Sequence, residues 1–207
     1  MAFSDLLTIS PPACSLLYHS KPLWARPAAT FCFQVSQSHT AIVVPAHGVF
    51  YSEAMKLLAI SGSGRATSTN TALLKSVSEI AGSDHRVTVF AGVADLPVFS
   101  PDAEQDPLPL PVRSFIDLIR ENDVLIIASP EYIRAIPGGL KNAIDWLVSR
   151  DEIIGKPIAL LHASHRGDDM LAQLRLVLAT VSDGFAPETF ARFDLMKLSP
   201  EQIPQTM

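Results

Sequence analysis

Short apolar runs alternate along most of this chain with longer stretches in which apolar residues recur every three or four positions. The first run, residues 56–60, ends in Ser61-Gly62-Ser63-Gly64, the pattern of a buried strand entering a tight loop. Leu73, Val77 and Ile80 then recur at helical spacing, with Gly82 as a stop. Residues 86–91 read as a second strand, and the Pro- and Asp-rich stretch 92–111 as a long loop. A second helix follows, marked by Val112, Phe115, Ile116 and Ile119. The run 123–129 is apolar without alternation, as expected for a strand covered on both faces. Pro137 opens a third helix with Leu140, Ile144 and Leu147 on one stripe. Residues 156–163 predict a fourth strand, Leu171, Leu174 and Leu178 a fourth helix, and 185–195 an edge strand.

Four alternations of strand and helix predict a three-layer α/β domain with a parallel sheet. Ligands in such sheets bind beyond the carboxyl ends of the strands, so the loops after strands one, three and four are the ones to inspect. The domain is expected to span residues 55–207. Residues 1–54 hold only four charged residues, Asp5, Lys21, Arg26 and Glu53, and no sustained period. They read as a non-core extension ahead of Met55, with a targeting segment as the alternative.

Composition narrows the partners. With 48% hydrophobic residues, 18% charged residues and a net charge of -5, the chain has the core of a globular domain but no basic footprint for nucleic acid. No apolar run reaches the roughly 20 residues of a membrane span. Cys14 and Cys32 both precede the domain and neither has a metal-ligand spacing around it, so no metal is expected and a cytoplasmic location is.

The first loop continues as Arg65-Ala66-Thr67-Ser68-Thr69-Asn70. Its glycines allow a sharp turn, and the hydroxyls of Ser63, Ser68 and Thr69, the Asn70 amide and the Arg65 guanidinium can surround a phosphate. No Gly-Lys-Ser/Thr follows, which removes an ATPase reading. Thr67 stands where a dinucleotide fingerprint has its third glycine, and no acidic residue ends the second strand, so a mononucleotide fits better than NAD as the resident ligand. An ordinary capped strand-to-helix turn is the plainer alternative.

The segment from Pro130-Glu131-Tyr132-Ile133 to Pro137-Gly138-Gly139-Leu140-Lys141-Asn142-Ala143-Ile144-Asp145-Trp146 resembles the Pro-Glu-Tyr-Asn…Pro-Gly-x-Leu-Lys-Asn-Ala-Ile-Asp-Trp signature of the NADPH-dependent FMN reductase family. Its companion, Gly-Ser-x-Arg-x-x-Ser-x-Asn, is present as Gly62, Ser63, Arg65, Ser68 and Asn70. The resemblance implies a flavodoxin-like fold and an FMN whose phosphate is held by Ser63, Arg65, Ser68 and Asn70. It places Pro130, Glu131 and Tyr132 along the flavin ring, and Ser164, His165 and Gly167 in the loop closing over it. Ile133 and Ala135 depart from the family pattern, with Ile133 standing where the family has Asn beside the flavin.

By that resemblance the chain is an oxidoreductase passing hydride from NADPH or NADH through FMN to a small acceptor: a quinone, free flavin, azo compound or metal oxyanion. No catalytic side chain is required, because the cofactor carries the chemistry. The family also points to a homodimer or homotetramer, with Ala143, Trp146 and Leu147 of the third helix as contact candidates. Residues 198–207 stand where the family has a final helix, so one sheet face is expected to be uncovered. A non-catalytic FMN-binding electron carrier or sensor, or a flavin-free remnant of the fold, are the alternative readings.

Overall fold

The apolar runs become five parallel strands, β1 (Lys56–Ser61), β2 (Arg86–Phe90), β3 (Val124–Ala128), β4 (Ile158–His162) and β5 (Phe185–Arg192), in the order β2-β1-β3-β4-β5. This flavodoxin-like order places the topological switch between β1 and β3. The computed structural model describes residues 54–81, 85–105 and 107–206. Residues 1–53 and Gly82, and with them the expected extension and helix stop, lie outside the described residues.

The helices are α1 (Thr69–Ala81), α2 (Leu110–Glu121), α3 (Gly138–Asp145), α4 (Asp168–Val181) and α5 (Ile203–Thr206). Strand side chains alternate between two cores, as the pleat requires. Leu58 and Ile60 of β1 join α2, α3 and α4 on one face, while Leu57 and Ala59 join α1 on the other. The predicted stripe of α2 is buried in full: Val112, Phe115, Ile116 and Ile119. In α1 the stripe is rotated from the expected one. Leu73 and Leu74 are buried, whereas Ile80 is 58% exposed near the end of the helix.

Ala143, Trp146 and Leu147 are buried inside the chain's own core and are not an exposed contact surface. Trp146 meets Phe99 edge-on at 5.2 Å and donates its indole N–H to the Pro97 carbonyl at 2.8 Å. Asn142, one turn earlier, accepts the Phe99 N–H at 2.8 Å and donates to the Pro97 carbonyl at 3.0 Å. Two residues of the Leu-Lys-Asn-Ala-Ile-Asp-Trp run thus anchor the long loop between β2 and α2.

The sheet face expected to be bare is covered. The chain leaves β5, runs back across the α1 side, and buries Leu195 and Ile203 beside α1. The expected lack of a long final helix holds, and the four-residue α5 packs on α1 in its place.

Candidate functional site

The loops after β1, β3 and β4 meet at the carboxyl end of the sheet. Gly62 makes the first approach possible, since a Cβ there would lie 2.8 Å from Leu140 Cδ2 and 2.9 Å from Ser129 Oγ. In the loop that follows, Ser63 Oγ accepts the Arg65 N–H at 3.3 Å, and Ser68 Oγ accepts the Thr71 N–H at 3.4 Å as the cap of α1. Ser63 and Ser68 are buried, and Arg65 is exposed. The first turn of α1 contains no acidic residue, so its unpaired N–H groups and positive dipole end face this loop uncompensated.

Helix α4 begins in the opposite way. Asp168 and Asp169 occupy its first turn, and Glu131, from the loop after β3, accepts the Met170 N–H at 3.2 Å. The protein supplies its own anions there. Of the two helix N-termini that border the site, only that of α1 is electrostatically free for a phosphate.

The loop after β3 turns sharply at Ile133 and Arg134, whose φ values are 51° and 59°. Tyr132 and Ala135 exchange backbone hydrogen bonds of 3.2 and 3.1 Å across them, a two-residue hairpin turn with both central residues left-handed. Arg134 donates to Asp169 at 2.5 Å, and Gln173 donates to the Arg134 carbonyl at 3.0 Å. Together with Glu131, these contacts fasten the turn to α4.

After β4, His162 is only 2% exposed. Its Nδ1 lies 3.2 Å from the Ser129 carbonyl and its Nε2 against the Arg166 carbonyl, so the ring spans two of the three loops. Burial pushes its pKa below the usual histidine value of 6.5, and the Arg192 charge acts the same way. The neutral ring can donate to only one of the two carbonyls. Gly167 closes the turn at φ 103°, and a Cβ on it would stand 2.6 Å from His162 Nε2.

A cleft of about 350 Å³ opens between these loops. Thr69 and Asn70 of α1 line one side, with Pro130 and Glu131 after β3, and Ser164 and Gly167 after β4. These six of the expected residues are brought together. Ser63, Arg65 and Ser68 precede Thr69 in the first loop and are not part of the cleft wall, and Tyr132 and Ile133 stand outside at the exposed turn. His165 turns away and pairs with Asp194 at 3.1 Å. The wall also contains Ser129, His162, Arg166 and Met196, which sequence reasoning did not select. The signal for His162 was its place at the carboxyl end of an apolar strand, where a polar residue is costly unless satisfied.

The sequence model of the NADPH-dependent FMN reductase family matches residues 55–192. The chain belongs to this family. Among curated relatives it is 34% identical over 116 residues to a quinone reductase of Escherichia coli K12, covering 55% of this chain and 62% of that protein. It is 36% identical over 115 residues to an NAD(P)H-dependent FMN reductase of Pseudomonas aeruginosa, with the same shares covered. The matched segment thus spans less than two thirds of either reductase. The solved flavoenzyme NAD(P)H:(acceptor) oxidoreductase FerB of Paracoccus denitrificans superposes with a TM-score of 0.56 at 26% identity, covering 70% of this chain and 78% of that one.

The site fits the family's flavin on an observation of its own. Asn70 is 7% exposed, lines the cleft, and its Oδ1 has no partner among the described residues. A buried amide oxygen without a donor is costly, and a ligand rich in hydroxyl groups beside a helix N-terminus removes that cost. The sugar-alcohol chain of FMN carries such hydroxyls next to its phosphate. Asp168 and Asp194 are held below the usual carboxylate range by Arg192 and His165 respectively.

Proposed function

We propose that this chain is an NAD(P)H-dependent FMN oxidoreductase that passes reducing equivalents from NADPH, or NADH, to a small acceptor of the quinone, flavin, azo or metal-oxyanion class. The observation that carries the reading is the acid-free N-terminus of α1, with the unpartnered Asn70 oxygen, facing a backbone-rich loop across one cleft. Ser63, Arg65, Ser68 and Thr69 hold the phosphate through hydroxyls, guanidinium and backbone N–H groups. Asn70 accepts a hydroxyl of the ribityl chain. Pro130 and Glu131 border the ring through backbone groups, because the Glu131 carboxylate is occupied at α4, while Tyr132 and Ile133 shape the turn beyond them, the Tyr132 backbone being paired with Ala135 and the Ile133 side chain in solvent. Ser164 and Gly167 approach from the other side, and His165 contributes only its backbone, its imidazole being paired with Asp194.

When bound, FMN supplies the hydride and electron chemistry. The protein's part is to hold the ring at a single opening, which donor and acceptor use in turn. The domain is taken as residues 55–207 with 1–54 an extension, and a cytoplasmic location suits a pyridine-nucleotide donor. Assembly as a homodimer or homotetramer belongs to the proposal, through exposed groups such as Val148 and not through the buried Trp146. Steady-state oxidation of NADPH with a benzoquinone acceptor tests the reading. Parallel double-reciprocal lines support alternate use of one opening, and intersecting lines or no FMN-dependent turnover contradict it.

A further inference from the structure

Beyond Arg192, where the family match ends, the chain does not simply leave the site. Phe193 donates its N–H to the His162 carbonyl at 2.8 Å, and Asp194 meets His165. Arg192 donates to the His165 carbonyl at 3.0 Å and to Asp168. The Ser164 hydroxyl donates to Met196 Sδ at 2.9 Å. These contacts stitch the last segment to the loop after β4 and carry Met196 into the cleft wall, which Thr69 and Asn70 also line.

Met196 is 50% exposed and lines the cleft, where Ser164 holds its sulfur. A thioether left half in water contributes little on its own. Its polarizable sulfur and methyl group are suited to an aromatic ring surface, on which such contacts are favourable. We propose that Met196 is a binding residue of this cleft, its side chain set by Ser164 so that it packs on the flat heteroaromatic ring of the ligand. The inference rests on the FMN reading above and adds a contact from outside the segment that carries the family signature.

The test uses the full chain freed of flavin. Apoprotein is titrated with FMN, following the quenching of flavin fluorescence, for the wild type, Met196→Ala and Met196→Leu. Separately, hydrogen peroxide converts the exposed thioether to its sulfoxide, releasing water, and mass spectrometry follows each methionine with and without saturating FMN. Met55, at the amino end of β1 and away from the cleft, is the internal reference. The expected results are a Kd raised about two- to tenfold in Met196→Ala, a smaller rise in Met196→Leu, and oxidation of Met196 slowed severalfold by FMN while that of Met55 is not. A wild type that binds FMN while Met196 oxidises at an unchanged rate overturns this proposal and leaves the FMN reading standing. A wild type that fails to bind FMN overturns both.

Discussion

Replacing Ile133 by asparagine should stabilise the protein. Ile133 holds φ 51° in the turn after β3, a region that penalises any residue with a Cβ and a β-branched one most. The left-handed conformation costs roughly 1–2 kcal/mol for an ordinary L-residue and less for Asn, whose short polar side chain bonds locally. The Ile133 side chain is 100% exposed, so no burial is lost on replacing it. The gain is therefore about 1 kcal/mol, or about 2–4 °C in Tm for a chain of this length. Ile133→Gly relieves the same strain but gives back roughly 0.5–1 kcal/mol through the freedom it adds to the unfolded chain, so it should fall between the two. Ile133→Val keeps the branched Cβ and should melt with the wild type. Thermal unfolding followed by circular dichroism, with urea midpoints at constant slope as a second measure, gives the ranking. If Ile133→Asn melts at or below the wild-type temperature with native secondary structure, the strain argument is refuted.

Gly167→Ala should lose about 1–3 kcal/mol of stability, because the left-handed φ and the His162 ring both exclude a Cβ; the accompanying loss of FMN affinity is read by the same fluorescence titration. His162 has a folded pKa below 6.5, so the unfolded chain takes up the proton first as pH falls. Its contribution is fully present above pH 6.5 and is lost as pH falls from there through the folded value, and His162→Gln should flatten that part of the pH–stability curve measured in urea. Trp146→Phe keeps most of the buried ring but loses the indole hydrogen bond to the Pro97 carbonyl, which keeps Asn142 as a donor, and a cost of about 1 kcal/mol in urea unfolding is expected.

The alternation of elements was legible because both helix and strand periods are strong here, and all five strands stand where the apolar runs predicted. The strand order was not, since nothing in a run such as 56–60 states its neighbours. Trp146 and Ala143 looked like a second apolar face because a helix pattern does not show that the loop 96–99 folds over it. Glu131 reads as a flavin residue in the motif, yet its carboxylate caps α4, a partner 39 positions along the chain. His162 was hidden inside an apolar run. Met196 gave no local signal, because its place in the cleft depends on contacts made by residues 162–168 rather than on its own neighbours. In each case the missing information was a long-range contact.

The central claim is tested most directly by reconstituting the purified full chain with FMN, removing the excess, and adding NADPH without oxygen. The account predicts a bound oxidised-flavin spectrum that bleaches rapidly and returns when benzoquinone is admitted. A bound spectrum that stays yellow would mark a carrier or sensor, and a colourless protein would contradict the flavin site itself.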